Sequence, residues 1–131
     1  MSGSNGWWPS DELKKGGAIL GASETDTPIS EEFKITAGGS MNLRIAVEAT
    51  SITGTLTLKL QDSVGGSSGW RNLKTFTISG SGAANRAYLS LNIEVAADQT
   101  YLPLLSKARV VASTGVGEAL NVAFVRVLQA K

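Results

Sequence analysis

Thr55-Leu56-Thr57-Leu58-Lys59-Leu60-Gln61 alternates without a break, with Leu56, Leu58 and Leu60 on one parity and threonine, lysine and glutamine on the other. Side chains in a strand point alternately to opposite faces, so this is a ribbon with one face in a core and one in water. The next eight residues, Asp62-Ser63-Val64-Gly65-Gly66-Ser67-Ser68-Gly69, are small or polar apart from Val64, and the three glycines among them adopt positive φ at little steric cost. Trp70 then restarts the alternation, sharing its parity with Phe76 and Ile78. The stretch predicts a β-hairpin, and an all-β chain around it.

Working outward, the same rhythm recurs. Residues 41–49 place Leu43, Ile45 and Val47 on one face against Asn42, Arg44 and Glu48, and Thr50-Ser51-Ile52-Thr53-Gly54 reads as a turn into the central hairpin. Residues 87–95 set Leu89, Leu91, Ile93 and Val95 inward, with Tyr88, Ser90, Asn92 and Glu94 outward. Residues 107–113 form a further strand. Residues 119–128 close the chain with apolar residues on both parities, which predicts burial on both faces. Shorter strands are expected at 18–22 and 31–35, and residues 96–106 form a longer connection with an apolar cluster, Tyr101-Leu102-Pro103-Leu104-Leu105. Seven to eight strands at this spacing predict a β-sandwich, jelly-roll-like, over residues 17–131. Strands with one polar face need a second layer, so either two sheets pack together or one sheet closes on itself.

Residues 1–16 differ from the rest. A glycine- and serine-rich start leads to Trp7-Trp8-Pro9, and Ser10 then caps at most one helical turn ending at Gly16. This is expected to be an N-terminal docking arm. Its tryptophans either pack back over an open end of the domain or anchor the arm to another subunit, and Ser2 to Ser4 also fit an expression remnant.

Composition narrows the function classes. At 131 residues and 42% hydrophobic content the chain suffices for one domain with its own core. The net charge is +1 with no basic run, which argues against nucleic acid as a partner. No segment approaches a membrane span and no secretion leader is visible, so synthesis in the cytoplasm is expected. There is neither cysteine nor histidine. Disulfides, thiolate metal sites and the commonest general base are therefore unavailable.

Searches for chemistry return structural readings. No Gly-x-Ser-x-Gly elbow or phosphate-binding glycine loop is present. Glu31-Glu32, Asp62 and Glu94 fall at strand ends and turns, where carboxylates are usually solvated. Asp62 with Asp98 lacks the further oxygens a calcium site needs. Trp70, Tyr88 and Tyr101 offer a glycan-stacking platform, weighed against ordinary cross-strand packing. The expectation is a protein without enzymatic activity, cofactor or metal.

Two phrases carry a resemblance. Leu60-Gln61-Asp62-Ser63-Val64-Gly65-Gly66-Ser67-Ser68-Gly69-Trp70-Arg71-Asn72-Leu73-Lys74-Thr75-Phe76 resembles a strand-turn-Trp-strand segment of small virion proteins of tailed bacteriophages. Leu105-Ser106-Lys107-Ala108-Arg109-Val110-Val111-Ala112-Ser113-Thr114-Gly115 is similar to another strand of the same proteins. The resemblance implies a virion structural protein, foremost a capsid decoration (cement) protein on the outer head surface. Such a protein forms homotrimers where capsomers meet, binds the major capsid protein and is made in the host cytoplasm. A tail or head-completion protein is the next phage option, and a carbohydrate-binding module the alternative outside it. Trp7, Trp8, Pro9, Tyr101 and Leu102 are the candidate partner-binding residues.

Overall fold

The structure, a computed structural model, describes residues 18–34, 40–63, 69–94 and 107–130. They form eight strands: β1 (Ile19–Leu20), β2 (Thr27–Pro28), β3 (Phe33–Lys34), β4 (Ser40–Ser63), β5 (Trp70–Ser81), β6 (Asn85–Glu94), β7 (Lys107–Ser113) and β8 (Ala119–Ala130). All pair antiparallel in one hydrogen-bonded sheet. The expected jelly-roll-like β-sandwich is what forms, and it nearly closes into a barrel.

Its organising element is β4, a strand of 24 residues. Residues 40–49 pair with β6 on one side, and residues 42–53 with β8 on the other. Beyond them, residues 53–63 pair with β5 and residues 57–63 with β7. The single sheet thus folds into two halves sharing one strand. The first half-sheet runs β6, β4, β8, β1. The second runs β5, β4, β7, with β2 and β3 on the far edge of β7.

The turn expected at residues 50–54 does not exist. The chain stays extended there, and the register against β8 slips at two places instead. Glu48 faces Phe124 and Ala49 faces Val122, which leaves Ala123 extra on β8; Ser51 then faces Asn121, which leaves Thr50 extra on β4. Each extra residue is a β-bulge, and a bulge reverses which parity faces inward. In β4 the buried set accordingly changes from Leu43, Ile45, Val47 and Ala49 to Ile52, Leu56, Leu58 and Leu60. β8 does likewise, burying Leu120 and Val122, then Val125 and Val127. Its apolar residues on both parities reflect this reversal, and the expected burial on both faces is corrected: Phe124 stays half-buried and Ala119 exposed. At the crossing, Gly54 takes φ +97°, and a Cβ there would meet Glu118 Cγ at 2.6 Å. A side chain is excluded both by conformation and by space.

The core lies between the two halves and takes in Leu43, Ile45, Leu56, Leu58, Leu89 and Val110 with their neighbours. Residues 21–31 are stitched along β7. Thr114 Oγ1 donates to the Gly21 carbonyl at 2.6 Å and accepts from the Glu24 amide at 2.9 Å. The Ile29 amide donates to the Val110 carbonyl, and the Val110 amide donates to Ser30 Oγ, both at 2.9 Å. This seals Ile29 into the core. The short strand at 27–28, which carries Pro28, has no alternating pattern to announce it. Pro28 sits on an outer strand, where a missing amide donor is tolerated.

Candidate interaction surface

The outer face of the first half-sheet is set by the cross-strand register. Arg86, Glu48 and Phe124 lie side by side on β6, β4 and β8; Tyr88, Ala46 and Arg126 form the next row, and Ser90, Arg44 and Leu128 the third. The smallest side chain sits at the centre. Around Ala46 the longer neighbours leave a hollow of about 240 Å³, lined by Glu48, Arg86, Tyr88, Phe124 and Arg126. A second hollow on the side of Arg44, Ser90 and Leu128 shares Ala46 and Tyr88 with it.

Electrostatics hold the rim in place. Arg86 forms an ion pair with Glu48. Its guanidinium is held above its ordinary pKa by a hydrogen bond with Tyr88 and then by the charge of Glu48. The Arg126 guanidinium lies 4.6 Å from the centre of the Phe124 ring, a cation–π contact. Tyr88 is 66% exposed, and Ile19 on β1, at the far edge of this half-sheet, is 74% exposed. Exposed tyrosine, half-buried phenylalanine and arginines around a hollow are the chemistry of protein interfaces, where Tyr and Arg dominate binding.

The outer face of the second half-sheet is built otherwise. Asn72, Gln61 and Arg109 form one row, Thr75, Lys59 and Val111 the next, then Thr77, Thr57 and Ser113. The Gln61 amide nitrogen donates to Asn72 Oδ1 at 2.9 Å, and Arg109 Nε donates to Gln61 Oε1 at 3.0 Å. The Arg109 guanidinium also stacks 4.1 Å from the centre of the Trp70 ring. Burial pulls the Arg109 pKa below its ordinary value, opposed by the nearby Glu32 and Asp26 carboxylates. Lys59, at the centre, reaches Asp26 at 3.0 Å, and Val111 beside it is fully buried.

The sequence-based site readings fare unevenly. Asp62, read as a solvated turn residue, is instead the last inward residue of β4 and is fully buried. Its two oxygens accept from Arg71 Nε at 2.6 Å and Nη2 at 3.1 Å, a bidentate pair across the hairpin. Those contacts account for its place; Asp98 lies outside the described residues. Glu31 and Glu32 are exposed, and Glu32 makes a surface ion pair with Lys107 at 3.7 Å. Trp70 and Tyr88 do not share a platform. Trp70 faces Ser63 at the end of the second half-sheet, whereas Tyr88 faces Ala46 in the first. Tyr101, Trp7, Trp8, Pro9 and Leu102 lie outside the described residues. Phe124 and Arg126 were not singled out from the sequence. What marks them is the change of inward parity along 119–128, which turns both outward.

No protein-family profile matches the sequence, and no curated protein matches it. In three dimensions the chain is similar to the solved structure of Eiger TNF from S. frugiperda, with TM-score 0.62 over 96% of this chain and 93% of that one. Sequence identity between the two is 8%, so the likeness is one of fold alone.

Proposed function

We propose that this protein is a non-enzymatic structural component of a bacteriophage particle: a decoration protein that binds the major capsid protein on the outer shell and stabilises contacts between capsomers as a homotrimer. One observation carries the reading. The two phrases that resemble phage virion proteins are far apart in the chain, yet they fall on β4, β5 and β7, three adjacent strands. Residues from both touch. Arg109 of the second phrase binds Gln61 and stacks on Trp70 of the first. The likeness therefore concerns one contiguous patch of fold, which strand rhythm alone would not require.

The rest of the molecule suits a passive clamp. A stiff antiparallel sandwich presents an aromatic and arginine-rich face, and binding by covered surface needs no reacting group. On this reading Trp7, Trp8, Pro9, Tyr101 and Leu102 contact the shell, and the protein resides on the virion surface after synthesis in the host cytoplasm.

The test is to incubate the purified chain with expanded phage heads lacking decoration and to count bound copies by quantitative gel. Saturable binding is expected, together with loss of attachment when residues 1–16 are removed. Heads that take up none of the full chain refute the proposal.

A further inference from the structure

We infer that the hollow beside Arg109, where the chain joining β2 to β3 leaves the edge of β7, binds a neutral polyhydroxylated ligand, a single sugar ring. The hollow follows from the register. Pro28 faces Val111 and Phe33 faces Ala108, so five steps of chain (28 to 33) cover three steps of β7 (111 to 108). The two residues in excess carry the chain away from the edge. Ser30 holds the near end of this detour: its hydroxyl accepts from the Val110 amide and donates to the Glu31 carbonyl, both at 2.9 Å. What opens is a cavity of about 370 Å³ lined by Pro28, Ser30, Glu31, Glu32 and Arg109. That volume falls within the range of small-molecule sites.

Arg109 is set in place before any ligand arrives. Its Nε is engaged by Gln61, which Asn72 holds in turn, and its guanidinium lies against the Trp70 ring. Among the described residues its two terminal nitrogens make no hydrogen bond or ion pair, so a fork of donors remains at the cavity. The Glu31 carboxylate is exposed and likewise uncommitted among the described residues. Charge then selects the class of ligand. Arg109 and Lys107 balance Glu31 and Glu32, and Glu32 already pairs with Lys107 at 3.7 Å. An anion would meet two carboxylates here, and a cation would meet the guanidinium. A hydroxyl group suits both, because it accepts from the arginine and donates to the carboxylate. Neighbouring hydroxyls on a sugar ring are close enough for one fork to engage two of them, the geometry that makes bidentate contacts specific. Pro28 adds an apolar wall for the ring's C–H face, and an arginine already immobilised loses little freedom on binding.

The site stands independently of the virion role. Its test is a titration of the full, isotope-labelled chain with the methyl glycosides of glucose, galactose and mannose, each to 50 mM, followed by amide and arginine side-chain NMR shifts. At least one glycoside is expected to saturate, with shifts confined to residues 28–32, Arg109 and their neighbours. Arg109→Lys keeps the charge and loses the fork, and it should weaken that glycoside about tenfold, the loss expected for a hydrogen bond to a charged group. Glu31→Gln lies on the exposed detour, where folding is not at stake, and should weaken it as well. Thr77→Ser, on a different part of the sheet, should bind as the wild type does. No saturation by any of the three sugars overturns the inference, as do shifts that map elsewhere or binding that survives both Arg109→Lys and Glu31→Gln. Sodium acetate and glycine are the rival probes: if either reproduces the same shifts at equal concentration, the site takes a carboxylate or a zwitterion and the sugar assignment falls.

Discussion

The two outer faces share a strand and a three-by-three layout, and they differ most at the centre. On the second half-sheet the central position is Lys59, whose chain extends to Asp26 and lies beside a fully buried Val111. On the first it is Ala46, which reaches nothing and leaves a hollow between Tyr88, Phe124 and Arg126. A long side chain at the centre lets a face be closed by its own molecule, since the methylene stem covers apolar surface while the charged end finds a partner. A methyl group at the centre covers none of the apolar surface around it and leaves the hollow open. Residues 21–31, stitched along β7, supply the partner carboxylate in one case. Among the described residues, no segment crosses the other face.

The largest effect should come from the strand that both faces depend on. Deleting Thr50 removes the extra residue that reverses parity in β4, so one of its two apolar sets must turn to water. Loss of the cooperative unfolding transition is expected, with strong binding of a hydrophobic dye at neutral pH. A normal transition would show that the bulge can move elsewhere at little cost.

Arg71→Met is next. It leaves the buried Asp62 carboxylate without its bidentate partner, and removal of one member of a buried pair costs roughly 3–5 kcal/mol. Because Arg71 is itself 34% exposed, the lower end, about 3 kcal/mol, is expected from the shift in urea midpoint. Lys59→Ala opens the closed face at its centre. Both ends of the Lys59–Asp26 pair are partly solvated, so the loss should be about 1 kcal/mol or less, read from the same unfolding curves. The converse change, Ala46→Lys, adds a stem to the open face and should alter unfolding of the isolated subunit by no more than ~0.5 kcal/mol. If Ala46→Lys destabilised as strongly as Arg71→Met, the hollow would belong to the subunit's own packing, and the contrast between the faces would collapse.

Much of this contrast is legible in the sequence one strand at a time. The alternation at residues 55–61 predicts the buried leucines of β4, residues 107–113 mark β7, and the alternation from residue 88 correctly sends Leu89 inward and Tyr88 outward. What a strand reading misses is set by neighbours. Thr50-Ser51-Ile52-Thr53-Gly54 has the composition of a turn, yet continuous pairing with β8 keeps it extended. The hint was the slip of parity between Val47 and Ile52, which one extra residue in a continuous strand explains as well as a turn does. Asp62 looked like the first residue of a loop because its partner is fixed only once the hairpin closes and brings Arg71 opposite. The hollow at Ala46 is a property of three strands in register, and no single strand records it.

The unbroken course of β4 also bears on how the molecule carries load. No loop or hinge separates the two halves, so a pull on one travels along covalent backbone into the other. Splitting the halves would require shearing a ladder anchored on both flanks of the same strand. Load applied to either half is therefore shared by the ladders on both flanks of β4, rather than by a connecting loop.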